Sequence, residues 1–267
     1  TLLDFTEVSK KAFADLVNHF ELTHPEPYEA YHPINAKYWH YFEKQKVDAE
    51  TVRYGRFKEF LNHISSSVVH KKMADKYLDL LIHHSAWIAG AEQMIQDLSH
   101  THHLAIITNG LKDAQHSRLE KHDMKKYFQH IFISEELGVS KPHRAFFEHV
   151  HKQIESPIKE RVLVIGDNPK SDIKGGHNFD YHTCWYNYRK DKKQSVKANF
   201  KIDTWIKTDL SDPSSIEAAI RNVEGPFDAL INNAGLPPRD GFEQMILQVN
   251  YCGLVTFLNG MLDKLSP

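Results

Sequence analysis

Long apolar runs are missing from this 267-residue chain. No stretch approaches the ~20 consecutive apolar residues that span a bilayer, which argues against a membrane partner or anchor. Excess charge of either sign is missing too, because 33 Lys and Arg stand against 35 Asp and Glu. Such a balance creates no field that would gather nucleic acid or an anionic lipid surface, so neither is expected as a partner. Cysteine is scarce: Cys184 and Cys252 sit far apart, each in apolar surroundings. They read as buried free thiols in a reducing, cytoplasmic compartment and not as a disulfide framework. The N-terminus shows no signal peptide and no initiating methionine; it opens Thr1-Leu2-Leu3-Asp4-Phe5, as a processed chain or one whose beginning is missing would.

What is present is the composition of a soluble globular protein, 41% hydrophobic and 25% charged, with room for one large or two ordinary domains. Histidine is abundant, with 19 residues, but these are scattered beside Lys, Glu and Tyr without metal-ligand spacing, and read as solvated surface groups.

Apolar positions Val8, Phe13, Leu16, Val17 and Phe20 recur at helical spacing, and helices are expected from about Glu7 to Asp97. An aromatic series, Tyr31, Tyr38, Trp39, Tyr41 and Phe42, is expected to pack a core. The pattern then changes to short apolar runs closed by turn residues: His103 to Thr108 before Asn109-Gly110, His130 to Ser134, Arg161 to Ile165 before Gly166-Asp167, and Tyr181 to Tyr186. Strands alternating with helices imply an α/β fold with a parallel sheet covered on both faces, its functional groups at the carboxyl ends of the strands. After a polar, basic stretch from Tyr188 to Lys201 the alternation restarts, with strands at Thr204 to Lys207 and Asp228 to Asn232 and helices at Pro213 to Val223 and Gly241 to Leu265.

Three of the early strand ends carry groups suited to a phosphate and a divalent cation. Thr108, with Asn109 and Gly110, offers a hydroxyl and backbone donors to phosphate oxygens. Lys141 can neutralise the phosphate and an attacking carboxylate. Asp167 and Asp172, spaced Gly-Asp-x-x-x-x-Asp, are hard oxygen ligands for magnesium, which binds one or two carboxylates together with water and substrate phosphate.

Taken in order, Ile106-Ile107-Thr108-Asn109-Gly110, Lys141-Pro142 and Gly166-Asp167-Asn168-Pro169-Lys170-Ser171-Asp172 resemble three motifs of the haloacid dehalogenase (HAD) superfamily. The opening Thr1 to Phe5 and the stretch Thr183-Cys184-Trp185-Tyr186-Asn187 resemble its pyrimidine 5′-nucleotidase branch. The likeness covers residues 1–197. It implies a Rossmann-like core with an inserted helical cap at about Val8 to Trp87, a magnesium cofactor, and hydrolysis of a small phosphate ester, a nucleoside monophosphate, through an aspartyl-phosphate. Within it, Thr108 and Lys141 carry catalytic roles, Thr108, Asn109, Gly110 and Lys141 bind phosphate, and Asp167 and Asp172 hold the metal. The family's remaining motif is Asp-x-Asp-x-Thr, with Thr1 as its final threonine. The nucleophile and general acid therefore fall before Thr1, Asp4 lies out of register, and the polypeptide as given is expected to be inactive.

Beyond a junction at 198–204, the segment 205–267 carries Thr208-Asp209-Leu210, Ala229-Leu230-Ile231-Asn232-Asn233-Ala234-Gly235 and Val249-Asn250. These resemble part of a short-chain dehydrogenase/reductase (SDR), a second Rossmann-type fold. The likeness implies cofactor-side roles for Asp209, Asn232, Ala234, Gly235 and Asn250. The glycine-rich fingerprint that cradles a pyrophosphate is absent, as are the family's Ser and Tyr-x-x-x-Lys, so NAD(P) binding by this fragment is not expected. The pattern suggests a truncated or chimeric reading frame, with the strand at Ala229 to Asn232 a candidate to fill the place of the first unit's missing strand. An oxidoreductase fragment and a non-catalytic phosphate- or nucleotide-binding protein stand as the alternative readings.

Overall fold

The computed structural model describes residues 1–189, 196–202 and 212–222. The chain divides into two units, Thr1–Thr204 and Trp205–Pro267.

The first unit begins with a helical bundle. Helix α1 (Phe5–His19) starts where the Asp4 carboxylate accepts from the backbone N–H groups of Thr6 and Glu7, satisfying donors that a helix start leaves orphaned. Its buried face, Val8, Ala12, Phe13 and Leu16, follows the helical period. Helix α2 (Pro27–Glu43) opens with proline in its first turn. A π-turn at Thr51–Gly55 leads into α3 (Arg56–His63), and α4 (His70–His83) buries Met73, Ala74, Tyr77 and Leu81.

Aromatic rings pack where these helices meet. Phe13 stacks on Tyr31 with centroids 4.4 Å apart, Tyr31 stacks on Phe57 at 5.2 Å, and Phe60 and Tyr77 meet Phe13 edge-on. Of the aromatic series expected to form the core, Tyr31 alone is buried. Tyr41 is exposed, Tyr38 lies against Gly55, and Trp39 offers its face to the Arg56 guanidinium at 5.8 Å. The later turns of α2 thus serve the flank of α3, and the core draws its rings from four helices.

The chain returns through an extended stretch in which Leu3 bridges Trp87 and the Ile88 N–H donates to the Leu2 carbonyl. Helix α5 (Ala91–Ser99) precedes β1 (Ala105–Thr108), α6 (Lys112–Lys121), a 3₁₀ turn at Met124–Tyr127 and β2 (His130–Ile133). Short α7 (Ser134–Leu137) and α8 (Arg144–Gln153) lead through a 3₁₀ turn at Lys159–Arg161 to β3 (Leu163–Gly166). A π-turn at Pro169–Ile173 continues as α9 (Lys174–Asn178), followed by β4 (His182–Tyr186) and β5 (Phe200–Ile202).

One covered parallel sheet was the sequence expectation; the described strands form two parallel sheets instead. β1 pairs with β2, Thr108 opposite Ile133, and β4 lies between β3 and β5, with Gly166 opposite Trp185. Among the described residues β1 and β3 therefore each keep one unpaired ladder edge. Their side chains register the difference: Leu163 is 48% exposed and Ile106 and Ile107 are half-buried, although a strand inside a covered sheet would hide them. Helices α8 and α9 cover one side through Phe146, Phe147, Val150 and Phe179, packed with Phe132, Val164 and Tyr181. Strand β5 falls in the stretch read as a polar junction, because a three-residue strand with two exposed side chains leaves little hydrophobic signal.

The bundle is tied to the strand-built part at several points. Lys121 donates to the carbonyls of Ile82 and Ser85 at the end of α4, and His122 Nε2 lies 2.8 Å from the Ser85 hydroxyl. Arg53 Nη1 pairs with Asp113 at 2.9 Å, and His143 Nε2 lies 3.0 Å from the Glu43 carbonyl.

In the second unit, α10 (Pro213–Asn222) is described, its start held by Asp212, whose carboxylate accepts from the Ser214 N–H. The strand sought at Ala229 to Asn232 and the helix at Gly241 to Leu265 lie outside the described residues. No helix among the described residues is long and apolar enough to cross a membrane.

Candidate active site at the strand ends

The carboxyl ends of β1 and β3 bring the sequence-predicted polar residues of the first unit together. Thr108 ends β1, and its hydroxyl accepts from the Gly110 N–H at 3.1 Å, which closes the turn. That leaves the hydroxyl proton available for an anionic oxygen. A side chain at position 110 would collide with Gln115, so glycine lets the turn sit tight against α6.

Asn109 locks this turn to the next loop through a reciprocal pair of bonds. Its Nδ2 donates to the Lys141 carbonyl and its Oδ1 accepts from the Lys141 N–H, both at 2.9 Å. Lys141 is 6% exposed, and its ammonium donates to the Ile107 carbonyl and to Asp172 Oδ1, each at 2.7 Å. A lysine ammonium carries three N–H donors, so one remains for a ligand.

Asp172, the second carboxylate expected to hold a metal, is engaged here by protein donors. It is buried; Oδ1 takes the Lys141 ammonium and the Ser171 hydroxyl at 3.3 Å, and Oδ2 accepts from the Asn168 N–H at 3.1 Å. Each oxygen accepts from at least one protein donor, and the carboxylate positions Lys141 and balances its charge. Gly166 makes this possible, because a Cβ there would overlap the Asp172 side chain.

Asp167, in the turn after β3, faces outward and is 29% exposed. The ammonium and the hydroxyl of Thr1 both reach its Oδ1 at 2.7 Å. Burial would raise this carboxyl, but the Thr1 ammonium and hydroxyl, aided by the Arg189 charge, outweigh it and hold the group at about 2. Among the described residues no cluster of three or more His, Cys, Asp or Glu is arranged around one metal position. Of the two aspartates, Asp167 is the one that faces outward, and so the candidate to meet a cation.

Several neighbours carried no signal in the sequence. Glu43, at the end of α2, reaches over from the bundle: burial lifts its carboxyl above the ordinary range, Asp172 adds to the rise, and His40, Lys170 and Lys141 oppose it. Tyr188, stacked on Tyr186, places its hydroxyl 3.4 Å from that of Thr6 and accepts from the Arg189 guanidinium. These groups come from segments with no motif of their own, and only the fold brings Glu43 toward Asp172 and Arg189 toward Asp167. Cys184 is a buried free thiol; Cys252 lies outside the described residues. The reductase-like candidates Asp209, Asn232, Ala234, Gly235 and Asn250 lie outside the described residues as well.

Comparison with known proteins agrees with this geometry. The model of the haloacid dehalogenase-like hydrolases matches residues 1–186, and so does not extend to the reductase-like segment. Pyrimidine 5′-nucleotidase PynA of Streptococcus pneumoniae is 31% identical over 189 residues, covering 70% of this chain and 80% of that protein. Pyrimidine 5′-nucleotidase YjjG of Escherichia coli is 27% identical over 180 residues, 67% of this chain and 79% of that one. Among solved structures, the HAD-hydrolase YfnB of Bacillus subtilis, bound to magnesium, superposes with a TM-score of 0.70 at 29% identity, covering 76% of this chain and 90% of that chain. With residues 1–186 matched, and with a buried lysine braced by an aspartate beside the two strand-end turns, the chain belongs to the haloacid dehalogenase-like hydrolases.

Proposed function

We infer that this hydrolase cleaves phosphate monoesters and that its substrates are pyrimidine nucleoside 5′-monophosphates. The observation that carries the reading is the Lys141 ammonium, buried and fixed by Ile107 and Asp172 with one donor left over. A buried, oriented cation beside a hydroxyl-bearing turn suits a phosphate whose charge shifts during reaction, because such groups are organised before the charge develops. The nucleotide assignment rests on PynA and YjjG, both pyrimidine 5′-nucleotidases.

The residues of this chain divide the work. Thr108 donates its hydroxyl and Lys141 its remaining N–H to the phosphate oxygens, while Asn109 keeps the two loops at a fixed spacing. Asp172 keeps the Lys141 ammonium aimed. Asp167 would hold magnesium: its oxygen donor type is what that ion takes, and it is the outward-facing one of the two aspartates. When bound, magnesium supplies electrostatic stabilisation of the phosphoryl oxygens. The family's Asp-x-Asp-x stretch, which supplies the nucleophile and the general acid, belongs immediately before Thr1.

Phosphate release from pyrimidine and purine nucleoside monophosphates tests this, measured for the polypeptide beginning at Thr1 and for one carrying Asp-x-Asp-x before it. The expected result is release by the longer polypeptide alone, faster with pyrimidine substrates. Equal rates from both would remove the nucleophile assignment. No release by the longer polypeptide from any nucleotide would remove the functional one. Magnesium should raise the unfolding temperature of the longer protein and leave that of its Asp167→Asn variant unchanged.

A further inference from the structure

A second group of cations lies outside the cluster just described. The π-turn at Pro169–Ile173 and helix α9 border a cavity of about 510 Å³. Lys170, Lys174, His177 and Lys197 line it, with Pro169 and Val196 supplying apolar surface. Lys170, Lys174 and His177 follow one another at four and three residues, which aligns them along one side of the turn and helix. Lys197 joins them from the segment that leads into β5.

Three features make this groove unusual for a chain of net charge −2. No carboxylate is among the described residues that line it. None of the four side chains makes an ion pair or a hydrogen bond with another described residue, whereas Lys37, Lys125, Lys126 and Lys159 all pair with nearby acids. Like charges one helical turn apart repel, so the arrangement costs stability unless an anion relieves it. The apolar part of its lining comes from Pro169 and Val196, with Ile173 buried beneath.

The groove is separate from the phosphate-binding cluster, since Thr108, Asn109, Lys141 and Asp167 do not line it. It adjoins that cluster, since the lining residue Ile173 follows Asp172 in the chain and Lys170 acts on Glu43 together with Lys141. The volume falls in the range of small-molecule sites, ~300–1,000 Å³. A cationic rim beside this apolar lining matches a ligand with several phosphate charges and a flat apolar portion.

We propose that this groove is a second anion site, which binds a nucleoside polyphosphate beside the catalytic cluster. Binding is measured calorimetrically on the full chain, without magnesium, using ATP and inorganic tripolyphosphate as probes. Lys174 and Lys197 are exposed and remote from the catalytic roles assigned above, so Lys174→Glu/Lys197→Glu should fold normally, as circular dichroism verifies. That double variant should lose at least about tenfold in ATP affinity, because hydrogen bonds to charged groups are the strong ones. The ring signals of His177, assigned by their loss in His177→Gln, should move on ATP addition. A smaller loss of affinity, or unmoved His177 signals, overturns the site. ATP should bind more tightly than tripolyphosphate, and equal affinities would overturn the part given to the nucleoside.

Discussion

The helical bundle and the strand-built part of the first unit bury very different groups. Inside the bundle, Phe13, Tyr31, Phe57, Phe60 and Tyr77 pack ring on ring, and the buried Arg56 meets aromatic faces and Asn35 in place of a carboxylate. In the strand-built part, burial includes a full ion pair, Lys141 with Asp172, whose charged atoms meet protein partners on several sides. The first arrangement gains stability from apolar area and shape. The second surrenders stability to hold a cation where a ligand can use it, since desolvating two charges costs much of what their attraction returns.

The largest effect should come from opening the aromatic interior. Phe13 is 1% exposed and touches the rings of Tyr28, Tyr31, Phe60 and Tyr77. Phe13→Ala should cost about 4 kcal/mol, through lost burial and the cavity left behind. Urea unfolding checks this, and a cost below about 1 kcal/mol would mean that the bundle does not depend on its rings.

Breaking the ion pair comes next. Asp172→Asn should cost about 3 kcal/mol, because it strands the Lys141 ammonium in a buried position. Adding Lys141→Met should restore part of that loss, since no uncompensated charge remains. A double variant less stable than Asp172→Asn alone would contradict the idea that charge, and not packing, sets the penalty. In the longer polypeptide both variants should lose phosphate release, whereas Phe13→Ala should retain it below its unfolding midpoint.

These two regions also differed in how far the sequence exposed them. Strands β1 to β4 lie within two residues of the apolar runs that announced them, because each run is closed by turn chemistry, such as Asn109-Gly110 and Gly166-Asp167. Thr108 and Asp167 lie close to the ends of β1 and β3 for the same reason, since strand ends converge in a parallel α/β fold whatever the spacing along the chain. The division of labour between Asp167 and Asp172 was not legible. Two aspartates at this spacing look alike in one dimension, and only the placement of Lys141 and of the Asn168 N–H separates a brace from an outward-facing carboxylate. Likewise nothing local set Tyr31 apart from Tyr38 or Tyr41, which lie on the same helix but meet different neighbours. Glu43 and Lys170, more than 100 residues apart in the chain, come within range of each other's charge only through the folding of the bundle onto the strands.

A smaller effect separates local from tertiary control of the bundle. Asp4 starts α1 by accepting two backbone N–H groups and makes no other side-chain hydrogen bond among the described residues. Asp4→Ala should cost about 1 kcal/mol, and Asp4→Asn, which also caps well, should recover most of it. Equal losses in the two variants would show that charge at the helix start matters more than the hydrogen bonds.

Glu43 should give the smallest change, below that at Asp4, and it tests the meeting of the two regions. Its carboxyl is raised first by burial and then by Asp172, against the pull of His40, Lys170 and Lys141. In the unfolded chain it ionises near its ordinary value of ~4.3. Below that value both states hold the proton, and Glu43 behaves much as a glutamine would. As pH rises through the raised folded value, the folded state must either ionise against burial or forgo ionisation that the unfolded chain enjoys, so stability is lost. Glu43→Gln removes this penalty. Its stability gain over the unaltered protein should therefore be near zero at pH 4 and grow toward pH 7, measured by urea unfolding at both. A gain that is largest at pH 4 would mean that the carboxylate is favoured in the fold, with Lys170 and Lys141 outweighing burial.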